Sequence, residues 1–367
     1  MESNFRLKRY QAIALITLIM INKLILNIPY YIVNLVGNGA IVNIIYITII
    51  DFIGLLIILK LFDKFENQDI LDVSEFIGTT KLKTIIGIIC ITIFFIGTFI
   101  TILDFSNVLH TIYFSNFPII YILAFFIVGI LIANLINLKS ISNIISFIIP
   151  FAIASILITF FARSKDFNIT NLTPILGKNY YTTFVLGLTN TFAMYFIVYI
   201  YFFKPLLYNQ ADFKKISIIS YIISSILLLI TVIPLLTLFN TTNGNEPINS
   251  LFLLARQIEF GTFLQRVDAL FILLWILSIY AYLSFVIFLI NRIIKKITNV
   301  SDEKMISFST CSILFGLSII PLNISQIHFI QNIIYRYMII GFIFGLGLII
   351  LIWGNIKYRK VKSNDKK

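Results

Sequence analysis

The sequence is poor in charged residues, cysteine and histidine, and each shortage excludes a class of protein. Only 12% of the 367 residues are charged, 59% are hydrophobic, and the mean hydropathy is +0.99. Soluble domains contain about 25% charged residues, so a water-soluble globular protein is excluded. The two cysteines lie inside apolar runs and His110 and His328 are the only histidines, which argues against a disulfide framework, a zinc site or a metalloenzyme. We expect no cofactor.

Motifs of covalent catalysis and nucleotide binding are also missing. No GxGxxG, Walker or HExxH pattern occurs, and the few Ser, His and acidic residues have no catalytic spacing. The net charge of +12 comes from basic residues at the ends of apolar runs and not from one basic patch. The sequence therefore predicts neither an enzyme nor a nucleic-acid-binding protein.

Long apolar runs are abundant from one end of the chain to the other. A helix that crosses ~30 Å of hydrocarbon needs about 20 apolar residues. Ten runs of this kind predict an all-α polytopic membrane protein, with residues 1–367 in a single integral membrane domain. The predicted spans are 10–34, 40–62, 84–113, 117–137, 141–161, 183–204, 216–239, 266–291, 305–322 and 330–355.

The placement of Lys and Arg predicts which side of the membrane each connection faces. Most of the 28 basic residues lie in the termini and in the connections on the same side as the termini. Cytoplasmic loops are rich in Lys and Arg, so both termini are predicted to be cytoplasmic. Residues 63–83 then form a cytoplasmic loop with a short helix at 72–76, and 356–367 form a basic tail. Residues 240–265 form an extracellular loop with an amphipathic or re-entrant segment, which either covers the outer mouth or is simply ordered.

Two spans contain helix-weakening residues near mid-depth. In the first, Pro29 lacks an amide donor and clashes with the carbonyl of Ile25; in the sixth, Gly187 precedes a polar triplet. Interrupted first and sixth spans are typical of inverted-repeat transporters, whereas two mildly kinked helices are the alternative. The candidate substrate-binding residues are the polar side chains of these two spans: Asn22, Lys23, Asn27, Thr189, Asn190, Thr191 and Tyr195.

Ionisable residues inside spans form a second group of candidates. Lys23 and Asp51 lie near mid-depth in sequential antiparallel helices, so we expect them to meet as an ion pair, either functional or purely structural. Asp104, nearer the outer end of the third span, is either a gate residue or a solvated helix end. Lys23, Asp51 and Asp104 are thus candidates for an intramembrane charge pair or for proton coupling. The ionisable residues at other span ends are expected to snorkel to the interface, namely Arg266, Asp268 and Arg336.

Several short segments occur in a recognisable order and spacing. They are a basic start with Gln11, a stretch ending at Pro29, the Gly37-Asn38-Gly39-Ala40 turn, Asn171–Gly177, Lys204-Pro205-Leu206, Arg266–Phe271 followed by Trp275, and Pro321-Leu322-Asn323. With this set the chain resembles the endospore germination permease family (GerAB/GerKB type), within the amino acid–polyamine–organocation transporters. The resemblance covers nearly the whole length.

The resemblance implies a LeuT-like five-plus-five inverted repeat with discontinuous helices 1 and 6. Repeat one covers about 10–161 and repeat two about 183–355. It also implies the membrane subunit of a nutrient germinant receptor in the spore's inner membrane. Such a subunit recognises a small germinant, often an amino acid, between spans one, three, six and eight, and works with A-type and C-type receptor subunits. A proton- or cation-coupled amino-acid transporter and a scaffold whose cavity binds nothing are the alternatives.

Overall fold

A computed structural model describes residues 6–136, 138–177, 179–238, 254–256, 267–300 and 302–364. The structure is 87% helical and contains no β-strand in these ranges, so the predicted all-α class is confirmed. Nine helical segments of the described chain are long and apolar enough to cross a membrane, which makes the protein polytopic. Of the predicted loop 240–265 only 254–256 is described, and Arg266 and the side chain of Asp268 also lie outside the described residues.

The helices follow one another along the chain. The α-helices are α1 (Arg9–Leu26), α2 (Ile28–Val36), α3 (Ala40–Phe62), α4 (Ile70–Ile77), α5 (Thr80–Ile112), α6 (Ile119–Ile136), α7 (Leu138–Ala162), α8 (Ile197–Phe203), α9 (Phe213–Leu238), α10 (Val267–Thr298), α11 (Glu303–Ser318), α12 (Ile324–Phe329), α13 (Arg336–Ile340) and α14 (Gly347–Asn364). Segments of 3-10 helix lie at Gly37–Gly39, Ser164–Asp166, Ile169–Leu172, Leu186–Met194, Lys204–Leu206 and Gln210–Asp212. Segments of π-helix lie at Tyr181–Val185, Ile330–Tyr335 and Gly341–Leu346.

The observed helices match the predicted spans with one difference in length. The predicted ninth span, 305–322, corresponds to α11, which has 16 residues and is shorter than the ~20 that a straight crossing needs. The first predicted span corresponds to α1 and α2 together. The short helix expected in 63–83 is present as α4. The ten-span inverted repeat stays a prediction.

Burial separates central from peripheral helices. In α1, 78% of the residues are buried, against 28% in α6, although both helices have 18 residues and are strongly apolar. Helix α1 packs mainly against α7 and α9, and α10 packs against α5, α6, α7 and α11. Large apolar side chains remain exposed on the periphery, such as Phe147 at 71% and Phe125 at 62%. In water this exposure would be costly, whereas in a bilayer these side chains contact lipid.

Two glycine-containing turns pack against each other beside α3. Gly37 has φ +58°, a conformation that favours glycine, and it lets the chain turn from α2 into α3. A Cβ on Gly39 would lie 2.7 Å from the Thr183 hydroxyl oxygen and 3.1 Å from the backbone N of Gly177. The turn at Gly37–Gly39 therefore lies directly against the segment that precedes the sixth span, and only a residue without a side chain fits there.

Candidate functional site

The first span is interrupted at a single residue, Asn27, between α1 and α2. Asn27 has φ −150° and ψ −3°, outside the helical range. Pro29 has no N–H, so the carbonyl of Ile25 receives no intrahelical hydrogen bond from it. On either side the helical bonds continue, because the Asn27 N–H donates to the Lys23 carbonyl at 3.2 Å and the Tyr31 N–H to the Asn27 carbonyl at 3.0 Å. The predicted interruption of the first span is therefore present.

The Asn27 side chain joins three helical segments at this break. Its Nδ2 donates to Asp104 Oδ2 on α5 at 2.8 Å and to Gln331 Oε1 at 3.3 Å, and Gln331 Nε2 donates back to Asn27 Oδ1 at 2.9 Å. Both Asn27 and Gln331 are buried. Sequence reasoning missed Gln331, for which the only signal is the amide pair Gln331-Asn332 inside an otherwise apolar run.

Lys23 lies one helical turn before the break and is fully buried. Its ammonium has no hydrogen-bond partner among the described residues, and the carboxylate whose charge acts on it is that of Asp104. The predicted meeting of Lys23 with Asp51 is wrong. Lys23 lies on α1 and Asp51 on α3, and these two helices have little contact with each other because both pack against α9. Asn22, next to Lys23, is held separately by hydrogen bonds from Nδ2 to the carbonyls of Leu18 and Ser278.

Asp51 lies on the face of α3 that packs against α9. It is fully buried, and neither carboxylate oxygen has a hydrogen-bond partner in the described structure. The nearby Tyr221 of α9 donates from its hydroxyl to the carbonyl of Thr48, one turn before Asp51, at 2.6 Å. Ser220 and Ser224 of α9 are also buried, and their hydroxyl groups are likewise unpartnered within the described chain. This is a polar region separate from that of Asn27.

The sixth span changes helical type and is not interrupted. A wide π-helical turn at Tyr181–Val185 leads into a tight 3-10 segment at Leu186–Met194, and α8 continues it. The discontinuity predicted for this span is thus replaced by a continuous but irregular helix. Gly187 allows α3 to approach this helix closely, because the side chain of Asn43 on α3 occupies the space where a Cβ would lie.

The four candidates of the sixth span do not share one environment. Asn190 and Thr191 are buried, and Asn190 Nδ2 donates to Asn43 Oδ1 at 2.7 Å. The Tyr195 hydroxyl is fully buried and donates to the Ile19 carbonyl of α1. Thr189 is partly buried and bonds its own helix through the Leu186 carbonyl at 2.8 Å. Asn43 Nδ2 also donates to the Thr183 carbonyl at 2.7 Å, and the sequence analysis did not predict Asn43 as part of the site.

A cavity of about 460 Å³ lies next to the Asn27 break, on the side of the membrane opposite the N-terminus. Its walls come from α2 and from the helix that begins at Ile324, and none of the seven predicted substrate-binding residues is among those that line it. The Tyr31 hydroxyl and His328 Nδ1 form a hydrogen bond across it. The lining residues are Tyr30, Tyr31, Asn34, Leu35, Ser325, His328, Asn332 and Arg336.

Arg336 is buried at the inner end of this cavity, so the prediction that it snorkels to the interface is wrong. Only 8% of the residue is exposed. Its guanidinium lies 5.6 Å from the ring centre of Phe192 and donates to Asn332 Oδ1 at 3.1 Å and to Thr189 Oγ1 at 3.5 Å. Hydropathy gave no sign of this burial, because a lone arginine near the start of a mostly apolar span is equally compatible with an interfacial position.

A second cavity, of about 970 Å³, opens on the N-terminal side, where Arg6 lines it. Lys296 of α10 lies in its wall and contacts Asp69 Oδ2 at 2.6 Å and Asp72 Oδ2 at 2.8 Å. Burial raises the pKa of Asp69, and the Lys296 ammonium offsets this only in part. Burial also opposes ionisation of Asp72, but Lys296 and the hydrogen bond from the Asp69 N–H outweigh it and lower the pKa of that carboxyl.

Comparison with known proteins gives a family for this architecture. A profile described as spore germination protein matches residues 6–327, which is most of the chain. None of the curated proteins matches the sequence significantly. The matched region includes the interrupted first span, Asn27 with its partner Asp104, and the irregular sixth span, whereas Gln331 lies just beyond its end. The chain therefore belongs to the spore germination protein family of membrane permeases.

Proposed function

We propose that the chain is the membrane subunit of a nutrient germinant receptor and binds a small germinant, such as an amino acid, in a mid-membrane cavity. The observation that carries this proposal is the interruption at Asn27, together with family membership. Polar and ionisable side chains at membrane depth are costly and usually mark a substrate or ion site. Lys23, Asn27, Asp104 and Gln331 concentrate such groups at a broken helix, the feature that transporters of inverted-repeat type use to bind substrates.

The predicted binding residues belong to the most enclosed spans. Besides α1, the helices Tyr181–Leu206 and Phe271–Thr298 are the most enclosed: 72% and 67% of the residues in their most apolar 18-residue stretches are buried. We assign germinant contacts to Asn22, Lys23 and Asn27 of the first span and to the polar residues of the sixth. The cationic Lys23 ammonium, which has no hydrogen-bond partner in the described chain, suits a carboxylate. The sixth-span residues in this assignment are Thr189, Asn190, Thr191 and Tyr195.

Binding produces a signal only if the germinant favours one conformation of the receptor. A ligand with equal affinity for two states shifts neither, so the germinant must bind the signalling state more tightly. We propose that this state is transmitted to A-type and C-type receptor subunits in the inner membrane of the spore, with both termini of this chain in the cytoplasm. The excess of basic residues on the side of the termini supports that orientation.

Deletion of the gene in the spore-forming host tests this function. We expect spores that lose the response to one class of nutrient while vegetative cells take up that nutrient at the normal rate. Re-expression of the wild-type chain should restore germination. Normal germination of the deletion strain with every nutrient that triggers the parent would contradict the proposal.

A proton- or cation-coupled amino-acid transporter is the second candidate, and Asp51 favours it. A carboxyl group buried without a hydrogen-bond partner is a common proton carrier in membrane transporters. The purified chain in proteoliposomes separates the two candidates. Accumulation of an amino acid driven by a pH or sodium gradient, and its loss in Asp51→Asn, would favour the transporter. Binding without accumulation would favour the receptor subunit.

A further inference from the structure

The cavity between α2 and α12 has a polar mouth and a buried inner end. Asn34 and Ser325 are exposed at the mouth, whereas Tyr31 and Arg336 at the inner end are buried. Its volume of about 460 Å³ is within the range of small-molecule sites, roughly 300–1,000 Å³. Tyr30, Tyr31 and Leu35 give it apolar walls.

The inner end of the cavity has a positive charge that nothing in the described chain neutralises. No acidic side chain lines the cavity, and within the described residues none lies at ion-pair distance from Arg336. The guanidinium bonds two neutral oxygens, and its Nε is buried without an acceptor. A buried guanidinium with an unused donor is costly unless an anion binds there.

A second unused donor lies on the same wall. The Tyr31 hydroxyl and His328 Nδ1 share a hydrogen bond, and in the tautomer in which the hydroxyl donates, the ring proton lies on Nε2. That Nε2 is buried and has no hydrogen-bond partner among the described residues. Asn332, whose Oδ1 accepts from Arg336 at 3.1 Å, fixes the orientation of the guanidinium. In that tautomer, Arg336 and His328, two helical turns apart, offer two unused donors to the cavity that both residues line.

We propose that this cavity is a binding site for the carboxylate of a small organic solute, with Arg336 as its anchor and His328 as a second donor. Arginine binds carboxylates in a planar, two-point manner that a buried Nε and Nη pair supports. The apolar walls suit a small side chain more than a second charge. The site adjoins the mid-membrane site of the proposed function, because Arg336 donates to Thr189, and a solute arriving from this side of the membrane would meet it first.

The experiment measures ligand-dependent thermal stabilisation of the full chain in phosphatidylcholine nanodiscs. The probes are L-amino acids, with their C-terminal amides as controls that keep the side chain and lose the carboxylate. We expect the acids to stabilise the wild type and the amides not to. Arg336→Gln should weaken acid binding by about tenfold or more, since hydrogen bonds to a charged group are among the strong ones. Arg359→Gln, a change on the exposed tail helix, should bind like the wild type.

Two further variants make the result decisive. Asn34→Trp fills the exposed mouth without altering the buried Arg336, so it tests the site even if Arg336→Gln folds poorly; it should also reduce acid binding. Asn27→Ala changes the mid-membrane region, and the Arg336-dependent part of acid binding should persist in it.

Three outcomes would overturn the proposal. The first is wild-type affinity for the acids in both Arg336→Gln and Asn34→Trp. If Asn27→Ala alone then loses acid binding, only the cavity site fails, and the mid-membrane site of the proposed function still stands. The second is equal stabilisation by acids and amides. The third is Arg336-dependent stabilisation by phosphatidylglycerol without any by amino acids, which would identify a lipid headgroup as the occupant.

Discussion

Asn27 and Gln331 exchange side-chain hydrogen bonds across the interior of the protein, at 2.9 Å and 3.3 Å. The pair joins the break in the first membrane helix to the last one, 304 residues away in sequence. Both side chains are buried, so each amide would lose its partner if the two helices moved apart. If α2 moves relative to the last helix, these hydrogen bonds must therefore be replaced by hydrogen bonds to water or to a ligand.

Lys23 and Asp104 should show energetic coupling. Lys23→Ala and Asp104→Asn each remove one charge of an interacting buried pair, so the double variant should lose less stability than the sum of the singles, by about 0.5 kcal/mol or more. Thermal unfolding of the purified chain in detergent measures this. The control cycle, Lys23→Ala with Asp51→Asn, should be additive. Coupling in the control cycle and none with Asp104 would contradict the assignment of Asp104 as the partner.

Gly187→Ala should destabilise the packing of the sixth span on α3. The new methyl group would overlap the Asn43 side chain, which holds both Thr183 and Asn190, and overpacking of this kind costs about 1–3 kcal/mol. Gly316→Ala is the matched control, because a Cβ there meets nothing within 4 Å and alanine favours the helix. We expect a lower thermal midpoint for Gly187→Ala and an unchanged or higher one for Gly316→Ala. Equal midpoints for the two variants would refute the close packing of Gly187 against Asn43.

Lys296→Gln should destabilise the protein in a pH-dependent way. At neutral pH the variant leaves Asp69 and Asp72 charged side by side, at a cost of about 3 kcal/mol. The pKa of Asp69 already lies above the ordinary value of 3.8, so this carboxyl protonates as the pH falls toward that value. The difference in stability between Lys296→Gln and the wild type should therefore be largest near neutral pH and decrease toward acid pH. Thermal midpoints at about pH 7.5 and about pH 4.5 measure it.

Lys295→Gln is the control for this experiment. Lys295 pairs with Glu303, whose side chain is 69% exposed, and such surface pairs contribute about 0–1 kcal/mol. A loss in Lys295→Gln as large as that in Lys296→Gln, or a gap for Lys296→Gln that is the same at both pH values, would be inconsistent with a buried pair.

Local features of the fold were accessible from the sequence. Hydropathy and length located the membrane helices because a bilayer demands about 20 apolar residues at each crossing. Pro29 located the first interruption because a missing N–H acts on its own helix within four residues. The Gly37–Gly39 turn was also recognisable from local sequence, because glycine is the residue that adopts the positive φ found at Gly37.

The directions of side chains around the helices were not accessible. An apolar run that is hydrophobic on every face does not indicate which face meets which neighbour. Lys23 was therefore paired with Asp51 on the next helix, whereas its charge interacts with Asp104 on α5, and Arg336 was placed at the interface although it is buried. The roles of Lys23, Asp51 and Asp104 in coupling stay predictions.

The germination response of spores that carry Asn27→Ala tests the central claim most directly. The dose of nutrient needed for half-maximal germination should rise about tenfold or more, because the side chain that organises the broken helix is lost. Asn355→Ala, which removes from α14 an amide whose Nδ2 donates to the carbonyls of Leu61 and Leu351, should leave that dose unchanged at equal receptor abundance. An unchanged dose in Asn27→Ala spores with normal receptor abundance would contradict a germinant site at the break.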